Sequence, residues 1–102
     1  MRERTLELKL VKETRKRGGV ALKFVSPSFS GMPDRLVLLP HQVMGFVEVK
    51  APGEKPRPLQ KSRHAMLREM GFPVFVLDHS DKIPVILDQI THAQDGKGGE
   101  AQ

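Results

Sequence analysis

The sequence predicts an α/β fold in which a mixed four-stranded sheet is flanked by helices. Three observations predict it. A helical pattern over residues 4–17 stops at Gly18-Gly19, and three strand-like runs follow it, at 20–25, 36–39 and 43–50. A second helical pattern at 58–70 leads into the short apolar run PVFVL at 73–77. A strand, helix, strand order with a helix of that length predicts a right-handed crossover and a parallel pair, whereas the 31–50 stretch reads as an antiparallel hairpin.

The 102 residues suffice for one domain with a modest core. The domain is expected over residues 1–92, with 93–102 a polar, Gly-rich tail predicted to be disordered. No apolar run approaches the roughly 20 residues of a membrane span, so no membrane partner is expected. The chain has no cysteine, which excludes disulfides and thiolate metal sites and favours a cytoplasmic location. Lys and Arg number 17 against 12 Asp and Glu, a net charge of +5, which makes a polyanion partner plausible. With no Trp or Tyr and only five Phe, a base-stacking platform is not expected. Contact through Lys and Arg to a phosphate backbone fits better.

Along the first helix, Leu6, Leu10 and Val11 form the apolar stripe. At about 100° per residue Glu7 falls within that stripe, where a carboxylate needs pairing, a hydrogen bond or a metal. Glu3 lies one turn earlier on a similar face. The strand VALKFV points Ala21 and Lys23 one way and Val20, Leu22 and Phe24 the other. The loop that follows carries Ser26, Ser28 and Ser30, whose hydroxyls suit phosphate contact.

The hairpin at 31–50 carries the chemistry. If its turn is Pro40-His41-Gln42, Leu39 pairs with Val43, and counting outward sets Asp34 opposite Glu48. Such pairs have Cβ atoms roughly 4.5–5.5 Å apart, so the two carboxylates repel unless a cation lies between them. Lys50 shares the face of Glu48. Both strands are apolar on both faces, which predicts central strands covered on both sides. A loop with Lys55 and Arg57 leads into the second helix, where Pro58 suits the first turn. Leu59, Met66, Leu67 and Met70 are the expected stripe of that helix, with Gln60 at its border and Lys61 elsewhere. A third helix opens near Ser80 or Asp81, with Ile83, Ile86, Leu87 and Ile90 at helical spacing. His41, His64, His79 and His92 share no metal-ligand spacing and are expected as surface or packing residues.

Asp34 and Glu48 offer hard oxygen ligands suited to Mg²⁺ or Mn²⁺, and the Val49 carbonyl between Glu48 and Lys50 adds a further oxygen. Lys50 beside the ion would orient an attacking water and stabilise developing charge. This is the chemistry of phosphodiester hydrolysis. A surface salt bridge explains a lone Glu48-Val49-Lys50 as well, but explains Asp34 in register and Glu7 on an apolar face much less well.

Pro33-Asp34, thirteen residues, then Glu48-Val49-Lys50 resembles the PD-(D/E)xK nuclease superfamily. More narrowly, Glu7, Gly18-Gly19, Leu22-Lys23-Phe24, Gly31-Met32-Pro33-Asp34-Arg35, the run from Phe46 to Gly53, Pro58-Leu59-Gln60 and Gly71-Phe72 resemble the small stand-alone VRR-NUC domains of phages and bacteria. The resemblance implies a restriction-endonuclease-like αβββαβ core and a divalent-metal-dependent nuclease. It assigns Asp34 and Glu48 as metal ligands, Lys50 as the catalytic lysine, Glu7 as the helix-borne acid and Gln60 as the active-site glutamine. It further implies a homodimer acting on duplex or branched DNA, such as Holliday junctions or flaps. Candidate nucleic-acid contacts are Lys23, Ser26, Ser28, Ser30, Arg35, Lys55, Arg57 and Lys61. The competing reading is a non-catalytic DNA-binding or recombination accessory protein on a nuclease-like fold. A nuclease acting on RNA is a third.

Overall fold

The computed structural model describes residues 1–100, with side chains to residue 93. Its elements are α1 (Glu3–Lys16), β1 (Val20–Lys23), β2 (Arg35–Leu39), β3 (Val43–Val49), α2 (Pro58–Glu69), β4 (Val74–Leu77) and α3 (Lys82–Glu100). The sheet order is β1-β2-β3-β4, antiparallel except for the parallel β3–β4 pair. The mixed four-stranded α/β arrangement is thus the expected one. The polar stretch set apart at 93–102 overlaps α3. The side chains from 94 onward and residues 101–102 lie outside the described residues.

Local chemistry explains the breaks. Gly18 adopts φ +85°, which a residue with a Cβ resists. Its N–H and that of Gly19 bond Arg15 O and Thr14 O, closing the last turn of α1. The hairpin turn is Pro40-His41-Gln42, with Leu39 paired to Val43 as the sequence register requires. His41 and Gln42 both take positive φ, 71° and 64°. Gly45 on β3 provides space for α3: a Cβ there would lie 2.7 Å from Ile90 Cδ1.

Alternation sorts the sheet into two faces. Val37, Leu39, Val43, Val47 and Val49 pack with Leu6 and Leu10 of α1 and with Ile83, Ile86, Leu87 and Ile90 of α3. The other face holds Phe46, Val74 and Leu67 of α2, with Phe24, Leu36, Met44 and Met66 against them. β2 and β3 are the central strands, as expected, with α1 and α3 on the first face and α2 on the second; Leu38 of β2 and Val20 and Leu22 of the edge strand β1 remain exposed on the second face. The α2 stripe is rotated from the expected one. Leu59 and Met70 are exposed, while His64 and Leu67 are buried. Leu59 sits instead over Gly31, whose missing Cβ lets the two approach. Among the described residues, no helix is long and apolar enough to cross a membrane.

Candidate active site

Asp34 immediately precedes β2, and Glu48 lies one residue from the end of β3. The observed register, ending at Arg35 opposite Val47, continues to Asp34 opposite Glu48. Asp34 is held at both its backbone and its side chain. Its carbonyl accepts from Phe24 N–H at 2.8 Å, and its Oδ2 accepts from Val49 N–H at 2.9 Å. In an extended strand the N–H and C=O of one residue face the same edge, so the Val49 carbonyl faces the Asp34 side of β3. The next N–H, of Lys50, turns the other way and bonds Leu77 O at 2.9 Å.

Glu48 is 1% exposed, a carboxylate inside the domain. Gln60 Nε2 donates to its Oε2 at 3.0 Å, and Lys50 Nζ stands 3.7 Å from the same oxygen. Gln60 is itself fixed, because its Oε1 accepts from Arg57 N–H at 2.8 Å at the start of α2. Glu48 Oε1 is buried without a hydrogen-bond partner. His64 Nε2, also buried and without one, lies 3.7 Å from it. Burial, then the neighbouring Asp34 carboxylate, pushes the Glu48 pKa up to about 8, with Lys50 opposing. Burial, then the Arg68 charge, lowers that of His64, which favours a neutral imidazole.

The arrangement therefore brings Asp34, Glu48, Lys50 and Gln60 together on the α2 face of the sheet. It does not bring Glu7 there. Glu7 Oε2 is 3.0 Å from Arg35 Nη2, on the α1 face. Asp34 and Arg35 are consecutive, so their side chains leave the strand on opposite sides. Among the described residues, no group of three or more His, Cys, Asp and Glu is placed to share one ion; Asp34 and Glu48 stand as a pair. Arg35, expected at nucleic acid, is only 15% exposed at its side chain and is bonded to Glu7 and to Ala21 O.

Lys23, Lys55, Arg57 and Lys61 are exposed, as are Ser28 and Ser30, while Ser26 is half-buried. The serine loop is fastened to α2 by Arg63, whose Nε donates to Ser30 O at 2.8 Å and whose guanidinium lies 3.8 Å from the Phe29 ring centroid. Two residues near the site were not singled out from sequence. Arg63 had no signal beyond its helical arc. His64 had one: it follows Gln60 by four residues and so shares its face. His41, His79 and His92 are exposed, as expected.

Two carboxylates from adjacent strand ends, a lysine two residues past one of them and a glutamine from the crossover helix, on this sheet, define a PD-(D/E)xK-type nuclease domain. Comparison with known proteins narrows the class. The VRR-NUC domain profile matches residues 3–81. A protein of Acyrthosiphon pisum secondary endosymbiont phage 1, named "Putative nuclease p44", is 56% identical over 81 residues, covering 79% of this chain and 87% of that protein. A solved structure described as a VRR_NUC domain superposes with a TM-score of 0.79 at 32% identity, over 84% of this chain and 94% of that one. The chain belongs to the VRR-NUC family.

Proposed function

We propose that this chain is a divalent-metal-dependent DNA endonuclease that hydrolyses phosphodiester bonds, with Mg²⁺ or Mn²⁺ as its ion. One observation carries the reading: two carboxylates meet in a largely buried site, and Glu48 is pushed up to about 8 by burial and by Asp34. Burial and the Asp34 charge both disfavour an ionised Glu48, which a cation between the two carboxylates would reverse. The donor set fits a hard cation, since Glu48 Oε1 is a buried oxygen without a hydrogen-bond partner and the Asp34 carboxylate and the Val49 carbonyl flank the same edge. The ion would polarise the scissile phosphate and lower the pKa of a water.

The chain's own residues do the rest. Asp34 and Glu48 hold the ion, with the Val49 carbonyl as a third oxygen. Lys50 Nζ, 3.7 Å from Glu48 Oε2, orients the attacking water and stabilises negative charge on the phosphoryl oxygens. Gln60 fixes the Glu48 carboxylate through Oε2. The exposed Lys55, Arg57 and Lys61, with Lys23 and the loop of Ser26, Ser28 and Ser30, contact the DNA backbone. Glu7 enters this reading only indirectly, by holding Arg35 in place one residue from Asp34.

The substrate preference in this proposal is branched DNA, four-way junctions or flaps, because the exposed Lys and Arg side chains near the site suit contact with the phosphate backbone rather than base reading. The proposal includes a homodimer, for which the uncovered apolar row of Val20, Leu22 and Leu38 is the support, and a cytoplasmic setting in a bacterial or phage-infected cell, for which the phage relative is the support. The test is cleavage of duplex, flap and junction DNA with Mg²⁺ or Mn²⁺, beside Lys50→Ala and Asp34→Ala. Cutting that survives either substitution overturns the assigned site. Sedimentation velocity tests the dimer.

A further inference from the structure

His64 is the buried titratable group that the reading above leaves unused. It is 2% exposed, on the face of α2 that meets the sheet, one turn before the buried Leu67. A leucine at this position would pack there without bringing a polar atom inside. The imidazole brings one, and that atom, Nε2, has no hydrogen-bond partner. Glu48 Oε1, itself buried without a partner, lies 3.7 Å from it. Two orphaned buried atoms of opposite hydrogen-bonding capacity, facing one another, satisfy each other once they close by under about 1 Å.

We infer that His64 is a positioning residue for Glu48, donating from Nε2–H to Oε1 while Gln60 donates to Oε2. The inference rests on the proposed metal site. Gln60 and His64 are four residues apart on α2, so successive turns of one helix address the two oxygens of one carboxylate. Held at both oxygens, the carboxylate loses its freedom to rotate, and its orientation toward the Asp34 side is set before any ion arrives. Small divalent ions demand near-ideal geometry, and removing a residue that orients a ligand costs about 10–100-fold in metal affinity. A hydrogen bond at Oε1 leaves a second lone pair on that oxygen for the ion.

The test has two parts. Mn²⁺ binding is measured by calorimetry on the unsubstituted chain, His64→Leu and His64→Gln, with thermal melts to follow folding. Leucine fills the space without a donor, while the glutamine amide reaches about as far as Nε2. His64→Leu is expected to bind Mn²⁺ about tenfold or more weakly, with His64→Gln restored to within about threefold of the unsubstituted chain. Long-range ¹H–¹⁵N NMR on the Mg²⁺-loaded chain is expected to find the proton on Nε2, with the signal displaced in Glu48→Gln. Mn²⁺ affinity unchanged in His64→Leu overturns this inference alone, and so does a proton on Nδ1 with Nε2 bare. An unsubstituted chain that binds neither ion overturns the metal reading and this one with it. If His64→Leu does not fold, the tautomer of the unsubstituted chain decides.

Discussion

Asp34 Oδ2 accepts the Val49 N–H at 2.9 Å, so the first carboxylate of the site is tied to the backbone beside the second. A side chain takes the place of the next ladder bond where β2 begins, and the strand end becomes the site. The charge of Asp34 and its hydrogen bond can be separated. Asp34→Asn keeps an oxygen acceptor for Val49 N–H but removes the charge. We expect a folded protein with Mn²⁺ affinity and cleavage each reduced at least about a hundredfold, and with Glu48 less raised. Calorimetry and a junction-cleavage assay check this. Undiminished Mn²⁺ binding would remove Asp34 from the ligand set.

The carboxylate pair also predicts how stability varies with pH when divalent ions are chelated. Glu48 rises from an ordinary 4.5 to about 8 in the fold. It faces Asp34 from the start of β2, Lys50 on its own strand, and Gln60 and His64 from α2. The folded chain keeps a proton that the unfolded chain releases, so this contribution is full below about pH 4.5 and is lost as pH climbs through 8. His64, lowered from 6.5, acts with the opposite sign below that value. In chelator, the urea midpoint should therefore fall between about pH 6.5 and 8. Glu48→Gln should flatten the decline, and saturating Mg²⁺ should abolish it. A midpoint that rises over that window would contradict the buried-pair account.

Glu7 and Arg35 form a half-buried ion pair at 3.0 Å, away from the carboxylate pair. Glu7→Gln should lower stability by about 1–2 kcal/mol and leave Mn²⁺ affinity within about twofold. A large loss of Mn²⁺ binding at unchanged stability would place Glu7 in the ligand set after all.

At Gly45, a methyl group would meet Ile90 Cδ1 at 2.7 Å and Cγ1 at 2.8 Å. Gly45→Ala should cost about 1–3 kcal/mol by pushing α3 away from the sheet. Denaturant titration measures it, and Gly45→Ala with Ile90→Val should recover part of the loss.

In the hairpin turn, Gln42 holds φ 64° with a side chain that disfavours it. Gln42→Gly should stabilise the fold by about 1 kcal/mol, read as a higher urea midpoint with an unchanged slope.

Much of this was legible because period and register are local properties. Leu39 against Val43 follows from a three-residue turn, and Asp34 against Glu48 follows by counting. Lys50 follows from Glu48 by alternation. What sequence could not fix was rotation about a helix axis. Leu59, Met66, Leu67 and Met70 make a sound apolar arc, yet α2 turns Gln60, His64 and Leu67 toward the sheet because the site end of that face is polar. A hydrophobic pattern cannot anticipate a helix whose inward line includes a glutamine and a histidine. Glu7 shows a related limit. Its place on an apolar stripe correctly required a partner, but the side of the sheet on which that partner lay was decided by Arg35, one residue past Asp34.

The two faces of the sheet divide labour between folding and chemistry. Residues 34, 48 and 50 point toward one helix, and residues 35, 37, 47 and 49 toward the other two. The valines can therefore be exchanged for isoleucine or the α3 leucine for methionine, with stability adjusted from behind, while the carboxylates keep their places. A library confined to the α1 and α3 side should yield variants with a wide spread of melting temperatures and a narrow spread of metal affinities. The α2 side offers less latitude, because there Gln60, Lys50 and His64 are all bonded to, or stand against, Glu48.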